Sequence, residues 1–359
     1  MDASGLRTEF PVLASLAYMN AGTDGPLPAA AVAAAQGELD RELAEGRAAA
    51  HFERRHELGG RLRAAYAGAL RCEPSDVALT TSTTEGLGQV VMGLELGPGD
   101  EILTSDEEHP GLLGALGAAR DIKGVSVREV PLALIVDEVG PATRLVACSH
   151  VGWVSGSLAP AALADVAVPV LLDGAQGLGA VDVDVTRLGC DAYAAAGQKW
   201  MCGPDGSGAL WVSPALRPEL AVSRRGYGNL VEANDGLGAA VHDDARCFDA
   251  PSLSAESLAC SLAAAEVLES FGWPALWERA RGLAAQLAGA LAERGREPAP
   301  RGETTLVSFP SEDPEAERAE LARQGVIVRN IPGYPWLRAS VGAWNDEGDL
   351  ERLLGALRA

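Results

Sequence analysis

Of 29 basic residues, only Lys123 and Lys199 are lysine; every other one is arginine. A lysine kept against that bias marks a place where arginine does not serve. Arginine stays protonated, whereas a lysine amine can lose its proton and condense with an aldehyde. Lys199 sits in Gly197-Gln-Lys-Trp-Met-Cys-Gly-Pro-Asp-Gly-Ser-Gly208, between a small-residue run and a Gly/Pro-rich loop where backbone can approach a ligand. On composition alone it reads equally as a surface lysine or a Schiff-base lysine. Lys123, in Asp-Ile-Lys-Gly, reads as a surface lysine near a turn.

A second chemical group precedes Lys199. Val168-Pro-Val-Leu-Leu-Asp173 is an apolar strand ending on an acid. Burial and a charged partner decide the pKa of such a strand-end carboxylate. It can also serve as a plain loop carboxylate capping Gly174. A third element is Thr80-Thr-Ser-Thr-Thr-Glu-Gly86, a hydroxyl-rich turn between a short strand and a helical run. Free N–H groups, the helix dipole and hydroxyls converge there into an anion site. It also suits simple capping, with Thr84 as a good N-cap. Together, a lysine amine, a buried acid and a phosphate turn fit pyridoxal phosphate (PLP). The amine holds the aldehyde, and the acid keeps the pyridine nitrogen protonated so that the ring withdraws electrons.

The elements that must position these groups follow from hydrophobic periodicity. Strands are expected at 77–80, 101–105, 125–130, 144–149, 168–173, 191–195 and 208–212. Helices are expected at 29–46, 54–70, 87–94 and 110–120, with a short one at 160–166. Alternating strands and helices, several strands apolar throughout, indicate a mostly parallel sheet covered on both faces. Ligands gather at the carboxyl ends of such strands. His109, Ser149-His150, Asp173 and Lys199 all follow strand candidates. The stretch 223–246 breaks into Gly, Asn and Asp, as a mobile or interface loop would. Beyond it, Ser254 caps a helix to about 271, and another runs 274–294. Strands at 305–309, 326–329 and 337–341 and helices at 314–324 and 347–357 complete a smaller α+β block. The expected division is an N-terminal segment 1–18, a large domain 19–247 and a small domain 248–359.

Composition bounds the partners. The net charge is −21, with a pI near 4.6. That argues against binding nucleic acid or anionic membranes through a basic face. No signal peptide or membrane-length apolar run is visible. The cysteines at 72, 148, 190, 202, 247 and 260 form no CxxC pair and have no histidine at ligand spacing. They read as free thiols of a cytoplasmic protein, with no metal site.

The chain resembles the class V aminotransferase family of fold-type I PLP enzymes, which includes cysteine desulfurases, cysteine C–S lyases and isopenicillin N epimerase. The resemblance rests on Asn20-Ala-Gly-Thr-Asp-Gly-Pro26, Thr80-Thr-Ser-Thr-Thr-Glu-Gly86, Glu108-His-Pro-Gly111, Ser149-His-Val-Gly-Trp-Val-Ser-Gly156, Asp173-Gly-Ala-Gln176, Gly197 to Gly208, and Leu337-Arg-Ala-Ser-Val-Gly-Ala-Trp-Asn345. These occur in family order over nearly the whole chain. The Asp-Gly-Ala-Gln and Gln-Lys-Trp pair is the specific part.

The resemblance implies a seven-stranded mostly parallel sheet, a smaller α+β C-terminal domain and a homodimer. It implies that Lys199 holds PLP and shuttles the Cα proton, that Asp173 pairs with the ring nitrogen, and that His109 stacks on the ring. Gln176 would reach the ring hydroxyl oxygen. Thr83 and Thr84 would hold the phosphate, helped by Gln198 where desulfurases usually carry histidine. Ser252, in Phe248-Asp-Ala-Pro-Ser252, resembles the position that reaches a neighbouring subunit's phosphate. Arg338 would clamp the substrate carboxylate. Asn20, Ala21 and Gly22 would line the entrance, and Trp153 stands where desulfurases often have asparagine.

Two departures shape the expected activity. Desulfurases carry a nucleophilic cysteine shortly before the clamping arginine, and 328–338 holds none. The connection 131–143 is also short for the family. The resemblance therefore implies chemistry at Cα of an amino acid. β-Elimination of a sulfur-substituted substrate is favoured, and epimerisation or transamination is the alternative. A non-catalytic α/β binding protein is the alternative from another class.

Overall fold

The computed structural model describes residues 3–357. Residues 1–2 and 358–359, at the outer ends of the expected domain ranges, lie outside it. The chain opens with α1 (Ala3–Thr8) and β1 (Ala17–Tyr18), then two long helices, α2 (Ala29–Glu45) and α3 (Ala49–Leu70). An alternating series follows: β2 (Val77–Thr80), α4 (Thr83–Gly93), β3 (Glu101–Ser105), α5 (Pro110–Lys123), β4 (Ser126–Val130), β5 (Thr143–Ser149), β6 (Val170–Asp173), β7 (Ala192–Ala196) and β8 (Gly208–Val212).

These strands form one seven-stranded sheet in the order β2-β8-β7-β6-β5-β3-β4. β8 alone runs antiparallel to its neighbours. Sequence explains the layering. β6, β7 and β8 are buried at every position, as strands covered on both faces must be. The edge strand β4 is half-exposed and carries Arg128, which pairs with Glu101 and Glu138. Such charges blunt an edge.

The C-terminal part comprises α6 (Ala255–Phe271), α7 (Trp273–Glu293), β9 (Leu306–Pro310), α8 (Pro314–Arg323), β10 (Val326–Ile327), β11 (Arg329–Asn330), β12 (Trp336–Ser340) and α9 (Glu347–Ala356). β11, β12 and β9 form an antiparallel sheet, while β1 pairs in parallel with β10. Among the described residues, no helix is long and apolar enough to cross a membrane.

Several expected boundaries move, three of them for evident local reasons. α3 begins five residues early, because Ala49 and Ala50 are strong helix formers. α4 begins at Thr83 with Ser82 as its N-cap, not Thr84, since Ser82 has extended dihedrals and its Oγ accepts from Glu85 N–H. The strand expected at 326–329 divides at Val328, since β10 and β11 pair with different partners. Lys123 closes α5 half-buried, donating to the Leu94 carbonyl rather than standing free.

Candidate active site

The phosphate turn shows the local logic first. β2 runs into the Ser82 cap, and α4 begins with Thr83 and Thr84; all three residues line a cavity of about 200 Å³. The first-turn N–H groups and the positive end of the helix dipole are what an anion would meet there. Glu85 is drawn aside by Thr81 N–H and by Arg224, which donates to its Oε1 at 2.5 Å. Gly111 is needed because a Cβ there would fall 2.6 Å from Thr84 Oγ1.

Parallel neighbours β6 and β7 bring their carboxyl ends to the same cavity, carrying Asp173 and the Lys199 loop. Asp173 is buried and accepts from Ala175 N–H at 2.9 Å. Its remaining acceptor sites are available to a ring N–H. Burial pushes its pKa up, and Lys199 opposes that rise. Burial brings Lys199 down to about 8; Asp173 pulls it back up, while Arg338 and Arg329 press it further down. The loop before it is pinned: Gly25 N–H donates to the Gln198 carbonyl at 2.8 Å. A Cβ at Gly25 would lie 2.0 Å from the Lys199 carbonyl oxygen.

His109 is the N-cap of α5 and lines the cavity. Its Nδ1 accepts from Gly111 N–H at 3.0 Å, which leaves the proton on Nε2. Burial, then Lys199, Arg329 and Arg338, lower its pKa to about 4, so it is neutral at ordinary pH. Trp153 meets it edge-on, with ring centroids 5.2 Å apart. The two rings make an aromatic wall beside the lysine.

A different wall comes from the C-terminal sheet. Arg329 and Arg338 are direct partners across β11 and β12. Like charges opposite one another destabilise a strand pair. Arg329 lines the cavity and donates to Thr23 Oγ1 at 3.1 Å. Arg338 is fully buried and does not line it. It donates to the carbonyls of Trp153 (2.6 Å) and Gly22 (3.2 Å), and its Nε–H has no protein partner. Burial, then Arg329, lowers its pKa to about 9.

The structure thus gathers Gly22, Thr83, Thr84, His109, Trp153, Asp173, Gln198 and Lys199 around one cavity. The remaining expected residues stand elsewhere. Gln176 donates to the Gly22 carbonyl at 2.7 Å and accepts from Trp200 Nε1 at 2.9 Å. Asn20 bridges to Ser340 and holds Thr23, and Ala21 packs in the core. Ser252 is exposed and accepts from Arg55. Arg329 and Thr23 were missed. For Arg329 the available signal was the hairpin register that sets it against Arg338.

The donor set fits PLP. A helix N-terminus with threonine hydroxyls suits a phosphate, a buried acid such as Asp173 suits a protonated ring nitrogen, and a lysine with a depressed pKa suits an aldehyde, and all of them line the one cavity. The buried Gln198 Oε1, without a protein partner, is a further polar contact left for a ligand. Among the described residues no cluster of His, Cys, Asp or Glu could hold a metal ion.

Comparison with known proteins agrees with this geometry. A cystine C–S lyase, C-DES, solved with its reaction product cysteine persulfide, is 28% identical. The superposition has a TM-score of 0.90 and covers 96% of this chain and 98% of that one. A probable cysteine desulfurase of Pseudomonas aeruginosa is 33% identical over 79% of this chain and 78% of its own. Isopenicillin N epimerase of Streptomyces clavuligerus is 29% identical over 95% of this chain and 94% of its own. The family described as Aminotransferase class-V matches residues 18–353. The chain belongs to the class-V aminotransferase family and is a PLP-dependent enzyme of the fold-type I architecture.

Proposed function

We propose that the enzyme is a C–S lyase, which removes the Cα proton of a sulfur-containing amino acid and expels the sulfur from Cβ. The observation that carries this reading is the placement of the cysteines. None of the six lines the cavity, and the turn preceding Arg338 holds none. Cys202, near Lys199 in sequence, is fully buried, and burial holds its thiol well above the ordinary range. No thiol is placed to accept sulfur as a persulfide, so sulfur leaves with the product.

PLP, when bound, supplies the electron sink that acidifies the Cα–H bond. The chain's own residues do the rest. Lys199 Nζ takes the Cα proton, since burial has brought its pKa down to about 8, within reach of working pH. Asp173 would hold the ring nitrogen protonated. Thr83, Thr84 and Gln198 would anchor the phosphate and His109 would cover the ring face, while Gln176, engaged by the Gly22 carbonyl and Trp200 Nε1, holds the entrance loop instead of the ring hydroxyl oxygen. Arg329 reaches into the cavity to meet the substrate carboxylate, and Arg338, buried behind it with an unpartnered Nε–H, backs that contact in place of the direct clamp expected of it. Gly22 and Trp153 shape the entrance, and Asn20 and Ala21 hold Gly22 in place. The sulfur departs with its bonding pair, and hydrolysis of the remaining three-carbon fragment gives pyruvate and ammonia. Two-base epimerisation needs a second proton shuttle. His109, held neutral with Nδ1 already engaged, does not supply one.

We read the functional unit as a cytoplasmic homodimer with a large domain 19–247, a small domain 248–359 and an N-terminal segment 1–18 against the small one. The free cysteines support a reducing compartment. Exposed Val32, Leu39 and Leu43 on α2 and Phe52 on α3 support a second subunit, and Ser252 would reach its phosphate.

The test offers holoenzyme cystine, cysteine and other amino acids while pyruvate, released sulfur and racemisation are followed. Pyruvate formed in step with sulfur release is expected. Racemised substrate, or a keto acid formed without sulfur release, rejects the lyase reading.

A further inference from the structure

Glu108 has no role in the reaction described above, yet it is a carboxylate buried directly beneath the site. Three donors converge on it. Ser149 N–H donates to Oε1 at 2.9 Å, Ser149 Oγ donates to Oε2 at 2.6 Å, and Ser105 Oγ donates to Oε1. Ser105 ends β3 and Ser149 ends β5, so the carboxylate joins the carboxyl ends of two adjacent strands. The residue after Glu108 is His109. The strand partner of Ser149 is Asp173. Burying a carboxylate is costly even when it is hydrogen-bonded. Burial raises the pKa of Glu108 to about 7, the hydrogen bonds from Ser105 and Ser149 oppose that rise, and the second buried acid, Asp173, adds to it by repulsion. That repulsion falls when a cation stands against Asp173.

We propose that Glu108 is a positioning residue for the cofactor: it fixes His109 and Asp173 relative to one another by joining Ser105 to Ser149 behind them. The proposal rests on the reading of His109 and Asp173 as the ring contacts. It does not depend on which reaction follows.

The test measures PLP affinity of apoenzyme by titration, the visible absorbance of bound PLP, and the melting temperature of apoenzyme. Glu108→Gln keeps the size and one acceptor but cannot satisfy all three donors. It should weaken PLP binding by about tenfold or more, the worth of a charge-assisted hydrogen bond, and shift the absorbance band. Ile102→Val, buried on β3 three residues before Ser105 and making none of the hydrogen bonds to Glu108, is the control for a merely weakened strand. It should lower the melting temperature and leave both PLP readouts at wild-type values. Wild-type affinity with an unshifted band in Glu108→Gln overturns the proposal, as does an equal loss of affinity in Ile102→Val. If Glu108→Gln does not fold, Ser149→Ala removes one donor and should shift the same readouts in the same direction by less. No shift in that variant also overturns the proposal.

Discussion

The two walls of the cavity are built on opposite electrostatic plans. At the ends of β6 and β7, Asp173 and Lys199 form a mixed pair whose charges offset one another. At β11 and β12, Arg329 and Arg338 face each other, with backbone carbonyls and a threonine hydroxyl as their partners. A mixed pair can trade a proton without leaving a net charge buried. A like-charged pair is relieved of its repulsion when an anion arrives from outside. The first wall is therefore suited to chemistry and the second to recognition of a substrate carboxylate.

The sharpest way to break this division is to neutralise the mixed wall. Asp173→Asn keeps the shape but removes the charge that holds the ring nitrogen protonated. Turnover should fall about 10²–10³-fold, in the range of a lost preorganised electrostatic contact. The measurement is kcat with PLP saturating. A kcat within a few-fold of wild type would place the ring nitrogen's partner elsewhere.

The arginine wall should respond differently. Arg329→Gln should raise KM roughly 10- to 150-fold, as expected for about 1.5–3 kcal/mol of charged contact. PLP affinity should remain at its wild-type value. Steady-state kinetics with a PLP titration separate the two effects. A loss of PLP affinity with unchanged KM would assign Arg329 to the cofactor instead.

The smallest effect concerns pH. Lys199 sits near 8 instead of its ordinary 10.5, and only the neutral amine attacks an aldehyde. The protonated amine dominates below 8, so PLP capture by apoenzyme should rise about tenfold from pH 7 to 9 and then level off. A continued rise of about a hundredfold over the same interval, with no plateau below 10, would mean that burial does not depress the amine.

The same contrast explains what was legible in the sequence. Lys199, Asp173 and the 80–86 turn each end a local strand pattern, and parallel order alone brings strand ends together. Their convergence could therefore be read without coordinates. Arg329 could not, because its place depends on a hairpin register. Val328 interrupts what reads as one strand, and only the turn at Gly333, with φ at 81°, sets Arg329 against Arg338. Gln176 shows the converse. Its motif is clear, but its amide lies between Gly22 and Trp200, contacts that come from segments distant in sequence. The N-cap of α4 is Ser82 where the sequence pointed to Thr84, because adjacent hydroxyl residues cap equally well and only the backbone dihedrals separate them.

The central claim is that Lys199 carries the cofactor, and a chain with two lysines tests it cleanly. Holoenzyme would be reduced with borohydride to fix PLP on its lysine, then digested and mapped by mass spectrometry. The account predicts the phosphopyridoxyl group on the peptide containing Lys199 and none on Lys123, with labelling abolished in Lys199→Ala. Label on Lys123, or label persisting in Lys199→Ala, would contradict it.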